Sequence, residues 1–119
     1  MSMIEELKNL GLDVEEGLDR VMGDSSLYEM MLGMFVNSVR DNPVSPEDFD
    51  SQDPETVAKT IHMLKGITGN LAITPLFEGY TKSLTLLRGG QIQDAKAEFK
   101  RVLPIQTEII ECINRHQNA

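Results

Sequence analysis

Apolar residues recur at spacings of three and four along most of the chain, the period of amphipathic helices. Ile4, Leu7 and Leu10 predict a short lead-in helix over residues 2–10 that Gly11 ends. Asp13 is a good cap for VEEGLDRVM, which makes about two turns before Gly23. Asp24 or Ser25 then opens SSLYEMMLGMFVNSVRDN, whose apolar face is read as Leu27, Met31, Met34, Phe35 and Val39, and Asn42-Pro43 stops it.

Residues 43–53, PVSPEDFDSQD, hold two prolines and four acids and read as a solvated loop. Its carboxylates Glu47, Asp48, Asp50 and Asp53 lack the glycine turn and the distal glutamate of a calcium loop, so no metal is assigned to them. Asp53 as cap, Pro54 at the first helical position and Glu55 in the first turn predict a helix to about Ile73. Thr74-Pro75 repeats that signal for LFEGYTKSLTLLR, which Gly89-Gly90 ends. In QIQDAKAEFKRVLPIQTEIIECINR one stripe carries Ala95, Phe99, Val102, Gln106, Ile109 and Ile113 on both sides of Pro104, so the proline should kink the helix without stopping it. The expected architecture is all-α: an antiparallel four-helix bundle with additional short N-terminal helices, one domain over 1–119 with its bundle core at about 12–115.

Composition narrows the setting. Aromatic residues make up 5% and tryptophan is absent, which suits helix-on-helix packing. The formal charge is −8 and no segment clusters Lys or Arg, which excludes a phosphate-tracking nucleic-acid binder. The start MSMIEELKNL has no basic segment followed by an apolar run, and no apolar stretch approaches a membrane span, so a cytoplasmic protein without membrane partners is expected. Cys112 has no disulfide partner and no CxxC or Cys/His spacing is read around it; it is taken as a structural thiol. Ser25-Ser26 read as cap residues, no GxSxG or P-loop occurs, and the seven methionines read as core filler.

Candidate chemistry lies in HMLKGITGN, residues 62–70. With Ile61 at zero on a wheel of about 100° per residue, Val57, Leu64, Thr68 and Leu71 fall on one side, which predicts the core stripe. His62 falls on the other flank, among Ala58, Gly66 and Gly69, with Lys65 one turn away. Each interior glycine costs a helix roughly 1 kcal/mol relative to alanine. Bare backbone around an exposed imidazole, rimmed by one lysine, suits a nucleophile that another protein must approach closely.

This stretch resembles the signature of histidine phosphotransfer (HPt) domains of bacterial two-component phosphorelays: a histidine, any residue, an aliphatic residue, lysine and glycine, with another glycine three further on. His62, Leu64, Lys65, Gly66 and Gly69 match it position by position. GLDRVMGDSSLYEMMLGMF is similar to the region that precedes it in the family, through Gly23-Asp24, Leu27-Tyr28, Leu32 and Phe35, and the likeness extends over roughly Leu12 to Ile113. Two positions depart from the family pattern. Ala72 stands where a further glycine is usual, a change expected to touch only close packing at the helix end. Residues 83–85 read SLT where a leucine-glutamate pair or a glutamine often orients the histidine, which leaves Ser83, Thr85 or water for that part.

The resemblance implies a phosphocarrier, not an autonomous kinase. His62 would be the phosphoacceptor, attacking through Nε2 as a neutral imidazole, and Lys65 would stabilise the phosphoryl oxygens. Ala58, Lys59, Gly66, Gly69, Asn70 and Lys82 would meet the partner, with Arg88 joining Lys59 and Lys82 in a basic rim that steers an acidic receiver face. The implied partners are a response-regulator receiver domain and a histidine kinase or hybrid kinase. The carrier would need no cofactor of its own, since magnesium belongs to the receiver. A monomeric, free-standing carrier is expected. The alternative is a non-catalytic helical adaptor that binds a receiver or kinase without phosphotransfer. A carrier using His62 with His116 is disfavoured because His116 lies near a terminus expected to fray.

Overall fold

Side-chain caps set the first three helix starts. The computed structural model describes residues 1–118, and among them seven α-helices occur and no strand. Ser2 accepts from the Glu5 amide at the head of α1 (Met3–Asn9), and Asp13 from the Glu16 amide at the head of α2 (Val14–Asp19). Asp24, not Ser25, caps α3 (Ser25–Asp41), accepting from the Leu27 amide at 3.1 Å. A fourth short helix, α4 (Asp48–Ser51), precedes α5 (Pro54–Asn70), α6 (Thr74–Arg88) and α7 (Ile92–Gln117). Asp53 occupies the cap position of α5 without a side-chain hydrogen bond, and Ile73 takes the cap position of α6, leaving Thr74 inside the helix. α7 continues through Pro104, which lies on its exposed side, where water can reach the carbonyl that loses its partner.

Four helix ends share one device. At each, a residue one place past the cap, or two places past it after α2, has positive φ, its amide and the next one bond back to carbonyls of the preceding turn, and the chain leaves in a Schellman-type turn. Gly11 (φ 103°) and Gly90 (φ 80°) fill this position after α1 and α6. Met22 (φ 57°) and Ala72 (φ 56°) fill it after α2 and α5. After α5 the Ile73 amide reaches the Thr68 carbonyl at 2.9 Å and the Ala72 amide reaches that of Gly69 at 3.3 Å. This turn ends α5 at Asn70, three residues short of the expected Ile73. It also changes the meaning of Ala72: the position favours glycine for its backbone conformation, beyond any effect on packing.

α6 packs mainly against α5 and α7, and α3 leans on both of those helices. Short connections fold α6 back along each neighbour. Gly79 permits the α6–α7 approach, since a Cβ there would overlap Val102. Tyr80 is fully buried between them, its hydroxyl bonded to the Gln106 side chain and its ring stacked 6.5 Å from Phe99. The core stripe of α5 is as the wheel predicts: Val57, Ile61, Leu64, Thr68 and Leu71 are all buried.

Two expectations need correction. α3 buries Tyr28, Leu32 and Phe35 and leaves Leu27 and Met34 exposed. The cause is Tyr28, whose hydroxyl donates to the Leu71 carbonyl at 2.7 Å while its ring lies against Gly17, and this rotates the helix away from its methionine edge. Burial, then nearby Asp13, pushes that phenol up to about 12, so it stays a donor. The segment 43–53 is not only a wet connection. Phe49 on α4 is buried 5.4 Å from Phe99, and Asp50 is tied to Lys96 at 2.5 Å and Gln93 at 2.7 Å on α7.

At the other end of α7, Glu6 of α1 accepts from Arg115 at 2.8 Å and Cys112 at 3.2 Å, and its carboxylate lies 2.9 Å from His116 Nε2. The His116 bond, then the Cys112 thiol, hold the Glu6 carboxyl down at about 2. Burial, then the carboxylate, pushes the Cys112 thiol up to about 11. His116 is therefore held in α7 where fraying was expected. No helix among the described residues is long and apolar enough to cross a membrane.

Candidate functional site: the groove beside His62

Because the α5 stripe is buried, its other flank is presented outward with His62, Gly66 and Asn70 exposed and Lys65 half-buried. This flank forms one wall of a groove of about 530 Å³. α2 contributes Glu16, its cap residue Arg20 stands beside it, and α6 contributes Thr74, Phe77 and Glu78. His62 and Lys65 have no side-chain hydrogen-bond or ion-pair partner among the described residues, while no buried side-chain polar atom there lacks one. An imidazole and an ammonium thus stand in solvent on a wall whose opposite side is packed.

The two glycines of the motif differ. A Cβ built on Gly66 meets nothing within 4 Å, so the backbone beside His62 is open. A Cβ on Gly69 would come within 3.0 Å of the Phe77 ring, so Gly69 has a packing reason of its own where α6 crosses α5. The helix penalty of Gly69 is offset by that contact. For Gly66 the fold supplies no such compensation.

Arg20 was not singled out from the sequence, yet it closes one end of the groove. Its Nη1 donates to the Gly69 carbonyl at 3.0 Å and its Nη2 to Glu16 at 2.6 Å. Gly69 is in the last turn of α5, where the dipole favours a cation, and its carbonyl accepts from Arg20 in addition to the long bond from the Ala72 amide. Glu78 shares the groove and likewise escaped the sequence reading. Neither residue carries a local sign of its placement, because α2 and the N-terminal end of α6 meet α5 there only in the folded chain.

Other expected positions lie elsewhere. Ala58 is 1% exposed and belongs to the core, so it offers no surface to a partner. Its wheel angle lies between the core stripe and His62, and the packed neighbours cover it. Lys59 and Arg88 are exposed. Lys82 faces α7, 3.8 Å from Glu98, beside a separate groove that it shares with Arg101. It does not line the groove of His62, and neither do Lys59 and Arg88. Ser83 is fully buried and donates to the Ala95 carbonyl at 2.9 Å, while Thr85 donates to the Thr81 carbonyl at 3.0 Å. Both hydroxyls are engaged with backbone carbonyls of α6 and α7, and neither bonds to His62.

What the groove can do chemically follows from these parts. An exposed imidazole with open backbone beside it can be approached by a second macromolecule, and Lys65 one turn on supplies positive charge at the same wall. No family model, no curated protein and no solved structure matches this chain.

Proposed function

We propose that the protein is a phosphorelay carrier of the HPt kind, with α3, α5, α6 and α7 as its antiparallel four-helix bundle and α1, α2 and α4 as additions to it. His62 Nε2 attacks the phosphorus of a receiver's aspartyl phosphate in line. The N–P bond forms as the acyl P–O bond breaks, and the aspartate leaves as a carboxylate. A second receiver takes the phosphoryl group by the reverse chemistry. Lys65 offsets negative charge on the equatorial oxygens, and the receiver brings its own magnesium. The observation that supports this most is the pairing of an exposed, unpartnered His62 with the open backbone at Gly66, for which the fold itself has no use. Gly66, Gly69 and Asn70 form the approach surface; Ala58 and Lys82 drop out of it. The carrier works as a cytoplasmic monomer between a histidine kinase or hybrid kinase and a response regulator.

The test is a transfer profile with radiolabelled, phosphorylated receiver domains, run on the wild type and on His62→Gln. The expected result is an acid-labile, alkali-stable label on the wild type alone. A second reading is favoured by one observation, the absence of a side-chain partner that orients His62. In that reading the protein is an adaptor, and receivers bind in the groove without transferring label.

A further inference from the structure

Cys112, His116 and Glu6 form the one group of three possible metal ligands of Cys, His, Asp or Glu type gathered among the described residues. Cys112 and His116 stand four apart on α7 and so share a face of a rigid helix, a Cys-x-x-x-His spacing that the sequence reading passed over. Glu6 arrives from α1, more than a hundred positions away along the chain. We propose that this cluster is a zinc site that staples α1 to the C-terminal half of α7.

The donor set is right for the ion. Zinc takes thiolate, imidazole and carboxylate ligands in a tetrahedron, and bonds of about 2.0–2.3 Å imply ligand atoms roughly 3.4–3.6 Å apart. Here the carboxylate Oε2 is 3.2 Å from Cys112 Sγ and 2.9 Å from His116 Nε2, and all three ligand atoms lie within 4.8 Å of one another. The two contacts of the carboxylate need shifts of only a few tenths of an ångström, and Cys112 Sγ and His116 Nε2, within 4.8 Å of each other, close to the tetrahedral separation by side-chain rotation on their shared helix.

Charge also balances. Cys112, Arg115 and His116 all converge on the same carboxylate oxygen, Oε2, which leaves Oε1 without a protein partner among the described residues. A dication at Oε2 takes the place of two hydrogens: the S–H bond of Cys112 breaks as the S–Zn bond forms and its proton passes to solvent, while the imidazole N–H of His116 moves from Nε2 to Nδ1 by exchange with water, so that the Nε2 lone pair ligates the ion. Thiolate and carboxylate neutralise the ion, and Arg115 slides to Oε1 as an outer partner. Access is from the solvent side, where the Glu6 and His116 side chains are about a quarter exposed (25% and 26%), and water fills the fourth position. Cys112, 1% exposed, forms the inner wall.

The experiment uses the full chain, reduced and stripped with chelator, titrated with Co(II) alone and then with Zn(II). The expected result is one equivalent of cobalt giving a near-ultraviolet thiolate-to-cobalt charge-transfer band and intense visible bands of tetrahedral geometry, both erased by one equivalent of zinc. Zinc should also raise the thermal midpoint. Cys112→Ser should lose the charge-transfer band, and His116→Gln should weaken zinc binding at least about tenfold. Circular dichroism of each metal-free variant shows that it is folded. Should Cys112→Ser not fold, His116→Gln and the wild-type spectrum decide the matter by themselves. A wild type that gives no charge-transfer band, or one whose band survives in folded Cys112→Ser, overturns the proposal. His62→Gln binds zinc as the wild type does, so the outcome is independent of phosphotransfer.

Discussion

Two regions of this molecule treat their ionisable groups in opposite ways. Along α7 the buried and half-buried charges have found partners: Glu6 with Arg115 and His116, Asp50 with Lys96, Glu98 with Arg101 and Lys82. In the groove between α2, α5 and α6, Arg20 is pinned to Gly69 and Glu16, but His62 and Lys65 have no such partner among the described residues. The chain's two histidines fall one in each region. The lesson is that satisfied groups mark where the fold holds itself together, and unsatisfied exposed groups at a bare backbone mark where something else is expected to arrive.

The largest effect separates the two histidines. His62→Gln should abolish acid-labile label from a phosphorylated receiver while leaving the urea midpoint unchanged. His116→Gln should keep the label and lower the midpoint. Label on the first variant, or loss of label in the second with the fold intact, would reverse the assignment of the two regions.

The same substitution should have opposite signs in the two places. Gly79→Ala on the α6–α7 seam puts a methyl into Val102 and should destabilise by about 1–3 kcal/mol in urea unfolding. Gly66→Ala in the groove meets open space and should stabilise by roughly 0.5–1 kcal/mol, because glycine in a helix interior is the poorer residue. Equal effects would mean that the groove is as tightly packed as the seam.

Ala72→Gly addresses the turn that closes the groove. Alanine at φ 56° carries a left-handed penalty that glycine lacks, partly returned by the larger entropy of glycine in the unfolded chain. The expected net gain is up to about 1 kcal/mol, measured as a shift in urea midpoint. A loss would show that the methyl of Ala72, which is buried, contributes more by packing than its backbone strain removes.

The smallest effect is a pH dependence on the seam. The hydrogen bond from Lys96, then that from Gln93, holds the Asp50 carboxyl below the ordinary carboxylate range. The unfolded chain therefore takes up this proton first as pH falls. The contribution of Asp50 to stability is present above about pH 4 and declines below it. Asp50→Asn should lower stability at pH 6 and narrow the difference between midpoints at pH 6 and pH 3. An unchanged difference would show that the half-exposed pair is too well solvated to matter.

The periodic parts were legible from residues alone. A helix of 3.6 residues per turn must present Val57, Ile61, Leu64, Thr68 and Leu71 to one side, and the same geometry sends His62 to the other. Caps such as Asp13 and Asp24 act within four residues and could be read the same way. What the tertiary structure decided depends on residues far apart in the chain. Tyr28 turns α3 because Leu71 offers a carbonyl 43 positions away, and Phe49 makes an anchor of the acidic loop because Phe99 lies beside it. Only packing separates Gly66 from Gly69, sends Ala58 into the core and Lys82 toward Glu98, brings Arg20 to the groove, and sets Glu6 against Cys112 and His116. Local periodicity assigns a residue to a face. What that face meets is settled by the burial and hydrogen-bond demands of every other element at once.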